Sequence, residues 1–260
     1  MNIGLSMLFS LGEPFSSMLT HLTEFGVNHI ELVDESQHAL TRKRVNLLKR
    51  ISREHGLEFT VHAPFADINI ASPNPVLRRV MLKRLDKSLG YAHQLGSRLW
   101  TFHSGWKSGV SEFYPNLDWQ LNLRSIKALL TFAKKLDIDI AIENTPEPFH
   151  FLVKRMEDFA LFYSELGSGV DLGMTLDVAH ANTAQQVSGF IDKFSDKITH
   201  VHISDNEGKY DSHKGIGYGK INWEDVATAL KRINYRGTVV LESVDHVHES
   251  LQLMKQLFGE

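Results

Sequence analysis

Eight short apolar runs alternate with longer amphipathic stretches along the whole chain, and this alternation restricts the fold more than any other feature. The runs are NIGLSM, NHIELV, LEFTVHA, RLWTFH, IDIAIEN, GMTLDV, ITHVHIS and GTVVLES. Between them lie segments such as NPVLRRVMLKRLDKSLGYAHQLG, with apolar residues at three- and four-residue spacing and a glycine at the end. NLDWQLNLRSIKALLTFAKKLD repeats the design, and HESLQLMKQLF follows the eighth run. Strands that alternate with helices pair in parallel through right-handed crossovers. Eight such units within 260 residues predict an α/β fold, a (β/α)8 barrel forming one domain over residues 1–260. An open doubly wound sheet fits less well. No G-x-G-x-x-G follows the first run, so no nucleotide cofactor is expected.

Composition narrows the choice of partners. With 42% hydrophobic residues the chain can build a large core, and its formal net charge of −3 provides no global basic field for a polyanion. Nucleic acid is therefore not the expected main partner. The one dense basic run, TRKRVNLLKR, reads as a solvated helix face. There is no cysteine, which excludes disulfides and thiolate sites, so any metal must be held by nitrogen and oxygen. The N-terminal stretch MNIGLSMLFSLGEP has no basic leader, and no apolar run approaches the about 20 residues of a membrane span. A cytoplasmic protein without a membrane partner is expected. Homo-oligomer formation is left open.

Side chains of a strand alternate between two faces, and in a barrel one of them points inward. In ITHVHIS, Val201 and Ile203 suit the helix-covered side, which turns His200 and His202 inward. The same parity puts Glu143 above Ala141, Glu242 above Val240, Asp177 above Thr175, His62 above Thr60 and His103 above Thr101. Six strands thus end, at the face where such barrels build their sites, in an inward His, Asp or Glu over a floor of mostly small residues. Carboxylates drawn out of water need a cation to offset their charge. The set predicts a metal site.

Further candidates follow those tips. His180 lies three residues after Asp177, and Asp211 and His213 sit two apart in the loop after run seven, where alternate extended residues point the same way. Gly215, Gly217 and Gly219 would let that loop fold back over the barrel mouth, and Lys214 within it is a candidate for a substrate phosphate. His200 reads as a core histidine of the lower layer, His246 and His248 as solvated, and Phe65 as a pocket wall.

The strings VHAPFADINIASPN, FHSG, IENT, TLDVAHAN, HVHISDN with DSHKGIGYG, and VVLES together resemble the xylose-isomerase-like TIM-barrel superfamily over essentially the whole chain. That superfamily includes sugar and sugar-phosphate isomerases and epimerases and, as a relative, the endonuclease-IV family. By motif position, the resemblance implies a metal quartet of Glu143, Asp177, His202 and Glu242. The additional ligands of the three-zinc endonuclease arrangement would fall on His62, His103, His180, Asp211 and His213. Three departures separate this chain from the endonuclease pattern. NTPEPFHF replaces a Gly-Gln-Gly type stretch, HISDNEG and DSH replace the longer strand-seven motif, and the segment before INIASP is one residue longer. The ketose 3-epimerases in turn place an arginine soon after the strand-seven histidine, where this chain reads NEGK.

Three oxygens and one nitrogen suit Mn²⁺, Mg²⁺, Co²⁺ or Zn²⁺. Such an ion on a carbonyl and its neighbouring hydroxyl would acidify the C–H between them. Glu143 and Glu242, from strands five and eight, could then remove and return the proton. His62, His103 and His180 would contact the substrate if they do not hold further ions, while His180 and Asp205 would orient the substrate or the ligands from behind. The expected function is isomerisation or epimerisation of a small sugar or sugar phosphate. The alternative is zinc-dependent hydrolysis of a phosphodiester at an abasic DNA site.

Overall fold

The computed structural model describes residues 1–167 and 169–259. Its strands are β1 (Asn2–Ser6), β2 (His29–Val33), β3 (Glu58–His62), β4 (Leu99–His103), β5 (Asp139–Glu143), β6 (Gly173–Asp177), β7 (Ile198–Ile203) and β8 (Thr238–Leu241). They pair in parallel in sequence order and close into a barrel where β1 meets β8, Gly4 beside Val240. The helices among the described residues are α1 (Phe15–His21), α2 (Arg42–His55), α3 (Pro75–Leu95), α4 (Leu117–Leu136), α5 (Met156–Leu166), α6 (Val178–Thr183), α7 (Val187–Lys193), α8 (Trp223–Arg232) and α9 (Val247–Phe258). None is long and apolar enough to cross a membrane.

Local signals in the sequence set the helix ends. At α3 the Asn74 side chain accepts from the Val76 and Leu77 amides, Pro75 occupies the first turn, and Gly96 closes the helix in the left-handed region. Thr41 and Gly56 do the same for α2, the helix of the basic run. There Arg42, Lys43 and Arg50 are exposed, while Arg44 folds its guanidinium over the Phe15 ring at 4.2 Å.

Outward strand residues such as Leu32, Val61, Trp100, Phe102, Ile142, Leu176 and Val201 are buried against the apolar stripes of the helices, including Leu89, Ile126, Leu129 and Phe159. Burying each such side chain is worth roughly 1.5–3 kcal/mol, so this layer between sheet and helices carries the stability. The barrel interior is free to be polar. Its lower layer includes the pair Thr101 and Thr175, whose hydroxyls meet at 2.6 Å. It also holds a charge that the expected small-residue floor lacked. Glu31, from the middle of β2, is fully buried and accepts from His200 Nε2 at 2.9 Å and Thr60 Oγ1 at 3.0 Å.

A candidate metal centre at the strand tips

Above this floor, neighbouring strands set the polar tips side by side: His103 pairs with Glu143 and Asp177 with His202. Asn144, just past β5, stitches two of these tips together. Its Nδ2 donates to the Asp177 carbonyl at 2.9 Å and its Oδ1 accepts from the Asp177 amide at 2.8 Å. Asp177 is also the N-cap of α6, where Oδ1 accepts from the His180 amide at 2.7 Å. The helical turn that brings His180 back to the cluster therefore starts on a member of the cluster. Oδ2 of Asp177 has no hydrogen-bond partner.

One donor atom each from Glu143, Asp177, His202 and Glu242 lies within 4.8 Å of every other. His202 Nδ1 is 3.5 Å from both Glu143 Oε1 and Glu242 Oε2. His62 Nε2 and His103 Nε2 are each 3.3 Å from Glu143 Oε2. A tetrahedral ion with bonds of about 2.1 Å separates its ligands by about 3.4 Å, longer than a good hydrogen bond. The spacing around Glu143 is of that kind. Glu143 Oε2, Asp177 Oδ2, His103 Nε2 and His202 Nδ1 are buried without hydrogen-bond partners, although burial normally demands one.

The backs of the rings are anchored as metal-binding histidines require. Nδ1–H donates to a backbone carbonyl in His62 (Ala63, 2.7 Å), His180 (Asn144, 2.7 Å) and His213 (Glu242, 3.1 Å). That leaves Nε2 of His62 facing Glu143, and Nε2 of His180 and His213 facing Asp211. In the third group, Asp211 Oδ2 lies 3.1 Å from His180 Nε2 and 2.8 Å from His213 Nε2, which are direct hydrogen-bond lengths. These residues fit a divalent ion at the quartet and offer donors for others beside it.

Protons on the histidines balance the carboxylates. Burial disfavours the charge on His202, yet Glu242, Glu31 and Glu143 hold its pKa well above the usual value. His180 is likewise raised against burial by Asp177 and Asp211. Burial opposes the rise of His62 and His213, but Glu143 and Asp211 respectively bring each to about 9. Glu143, which burial alone would raise, is drawn well below the carboxylate range by His202 and His103. Asp177 goes the other way, pushed up to about 7 by burial and, despite His180, by neighbouring carboxylates. A cation entering here would replace protons.

Over the cluster opens a cavity of about 350 Å³. Its floor includes Glu143, Glu242, His62, His103, His180 and His213, and its walls include Leu8, Phe65, Pro146, Phe149 and Phe151. Of these walls only Phe65 was legible beforehand. No lysine or arginine lines it among the described residues. Lys214 instead pairs with Glu207 at 2.9 Å and bonds through its backbone to Asp205. Asp205, expected to orient the substrate or the ligands from behind, does not line the cavity. Its oxygens accept from the amides of Asn206, Gly217 and Ile221 and from the Trp223 indole, so it anchors the loop after β7. Gly219 is required there, because a Cβ would collide with the Asp205 carboxylate. His246 is exposed and stacks on Tyr218 at 3.8 Å, and His248, also exposed, lies over Phe25.

Comparison with known proteins agrees with this architecture. The sequence pattern of the family described as xylose isomerase-like TIM barrel matches residues 19–257. The uncharacterized protein MJ1311 of Methanocaldococcus jannaschii is 32% identical over 251 residues, 94% of this chain and 84% of that one. A solved structure described as a D-tagatose 3-epimerase-like protein superposes with a TM-score of 0.91 at 29% identity, covering 99% of this chain and 97% of the other. The D-psicose 3-epimerase of Ruminiclostridium cellulolyticum is 25% identical over 76% of this chain and 68% of its own length.

Proposed function

Because the chain belongs to the xylose isomerase-like TIM-barrel family, we propose that it is a metal-dependent epimerase or isomerase of a small, unphosphorylated sugar or sugar derivative. One observation carries the reading. Glu143 and Glu242 each bring a carboxylate oxygen to 3.5 Å from His202 Nδ1, at the base of a cavity sized for one small molecule. Glu143, Asp177, His202 and Glu242 would hold the ion, with Mn²⁺, Mg²⁺, Co²⁺ and Zn²⁺ all suited to the donors. Bound there, it would polarise a substrate carbonyl and the adjacent hydroxyl and so acidify the C–H between them. One glutamate takes that proton and the other delivers one, to the same carbon for epimerisation or to its neighbour for isomerisation. His62, His103 and His180 orient the substrate oxygens, and Phe65, Phe149 and Phe151 exclude water. A cavity without lysine or arginine favours a neutral sugar over its phosphate, leaving Lys214 to its pair with Glu207.

A second reading draws on the two further donor groups, His62–His103–Glu143 and His180–Asp211–His213. Filled together with the quartet they would make a three-ion centre suited to hydrolysing a phosphodiester. The aromatic walls and acidic net charge favour a sugar over a duplex. Incubation with free ketoses and aldoses in D₂O, with product analysis alongside, tests the choice. Deuterium should enter a carbon next to the carbonyl as the sugars interconvert. No sugar conversion, together with catalytic nicking of an abasic-site duplex by the same preparation, overturns the proposal.

A further inference from the structure

We infer that Glu31 is the positioning residue of the centre: it fixes the ring of His202 so that Nδ1 is the donor presented to Glu143 and Glu242. The inference rests on the metal-dependent reading above. The rings of His62, His180 and His213 are held through Nδ1 by backbone carbonyls and present Nε2 to a carboxylate, Glu143 for His62 and Asp211 for the other two. His202 is turned the other way. Its Nδ1 faces the carboxylates, and its Nε2 lies 3.0 Å from Glu31 Oε1. That contact is short but oblique to the hydrogen-bond axis, and it is the one carboxylate contact His202 makes at its back. Its orientation thus depends on a side chain that mutation can remove.

Glu31 has no other evident task. It sits between Ile30 and Leu32 in a buried strand, where an ionised carboxylate costs several kcal/mol unless donors surround it. His200 Nε2 and Thr60 Oγ1 take Oε2, and the remaining oxygen faces His202. Glu31, His200 and His202 could themselves be read as ion ligands. Two hydrogen bonds already occupy Glu31 Oε2, and none of the three residues lines the cavity over the cluster, which decides against it. Glu31 orients a ligand and does not join the ligands.

The test uses Zn²⁺ and the full chain. In ¹⁵N NMR of the Zn²⁺-loaded protein, the remaining ring proton of His202 should reside on Nε2 and exchange slowly with solvent. Glu31→Leu should weaken Zn²⁺ binding, measured calorimetrically at one pH, by about 10–100-fold, the range for lost ligand support. Glu31→Gln keeps an acceptor and should fall between that variant and the parent. Thr60→Val removes a donor to Glu31 but neither histidine, and should stay within about twofold by the same reasoning. A His202 proton found on Nδ1, or Zn²⁺ affinity unchanged in Glu31→Leu, overturns the inference. If Glu31→Leu fails to fold, the proton's location in the parent decides alone. Neither readout involves a sugar, so inactivity on every sugar would remove the functional reading while leaving this one standing.

Discussion

The two mouths of the barrel differ in a way that volume alone would misjudge. The N-terminal crevice, lined by Glu58, Arg98, Asp139, Arg236 and others, encloses about 910 Å³, against about 350 Å³ at the C-terminal side. Yet its charges stay in water. Glu58 lies 3.8 Å from His29 and 3.9 Å from Arg98, with side chains 53% and 85% exposed in the second pair, so these contacts contribute little. At the other mouth Glu143, Asp177 and Glu242 are at most 4% exposed, and oxygens of the first two lack partners. A fold keeps such costly groups together only where something offsets them. Concentrated desolvation, not space, marks the working end.

The largest effect that would break this comparison lies in the glutamates. Glu143→Gln or Glu242→Gln should cut turnover by about 10²–10⁴-fold while weakening metal binding only modestly. Equal, mild losses in both variants, recovered by adding metal, would reduce the two residues to ligands. Next come the two quartet donors given no part in proton transfer. Asp177→Ala or His202→Ala should lose most bound metal, by elemental analysis, with the circular dichroism of the barrel unchanged. Asp177→Asn separates two duties, since an amide oxygen still caps α6. It should spare the about 1 kcal/mol that Asp177→Ala loses with the cap, while still impairing metal binding.

The loops at the working end can be probed through Arg84, whose guanidinium grips the buried Asp34 carboxylate just past β2 at 2.7 Å. Arg84→Ala leaves that charge uncompensated and should cost about 3 kcal/mol in a denaturant titration. A smaller effect is the pH response of the ion-free protein. His62 has a folded pKa of about 9, above its unfolded value near 6.5. Its stabilisation is therefore complete below about 6.5 and disappears as pH rises through about 9. The melting temperature should fall over that interval, and His62→Gln should flatten the fall. Smallest of all, Arg98→Ala at the lower mouth should change stability by less than about 0.5 kcal/mol and turnover not at all. A clear loss of turnover there would mean that the lower crevice takes part.

Much of this was legible because strand periodicity is a hard constraint. Once ITHVHIS and IDIAIEN are read as barrel strands, the inward positions of His202 and Glu143 follow from parity, and the closed barrel follows from eight repeats. Glu31 obeys the same parity but sits one layer below the tips, and its partner His200 is 169 residues away, so no local pattern announces the pair. The signal available was a lone carboxylate inside HIELV. Asp205 misled for the opposite reason. It was expected to orient the substrate or the ligands, whereas its oxygens are used up by the loop that follows. Pro146, Phe149 and Phe151 were invisible as pocket walls, because the segment after β5 has no period from which a direction can be read.

That same division has a consequence for how such a protein changes over generations. The three carboxylates and one histidine of the quartet belong to strand tips locked by the sheet register, while the aromatic walls hang on the β3–α3 and β5–α5 connections. Phe149, 57% exposed, packs edge-on against Phe151 of the same connection. Under the proposed function, substitutions in those connections would change which molecule is admitted while the donors at the strand tips keep their places.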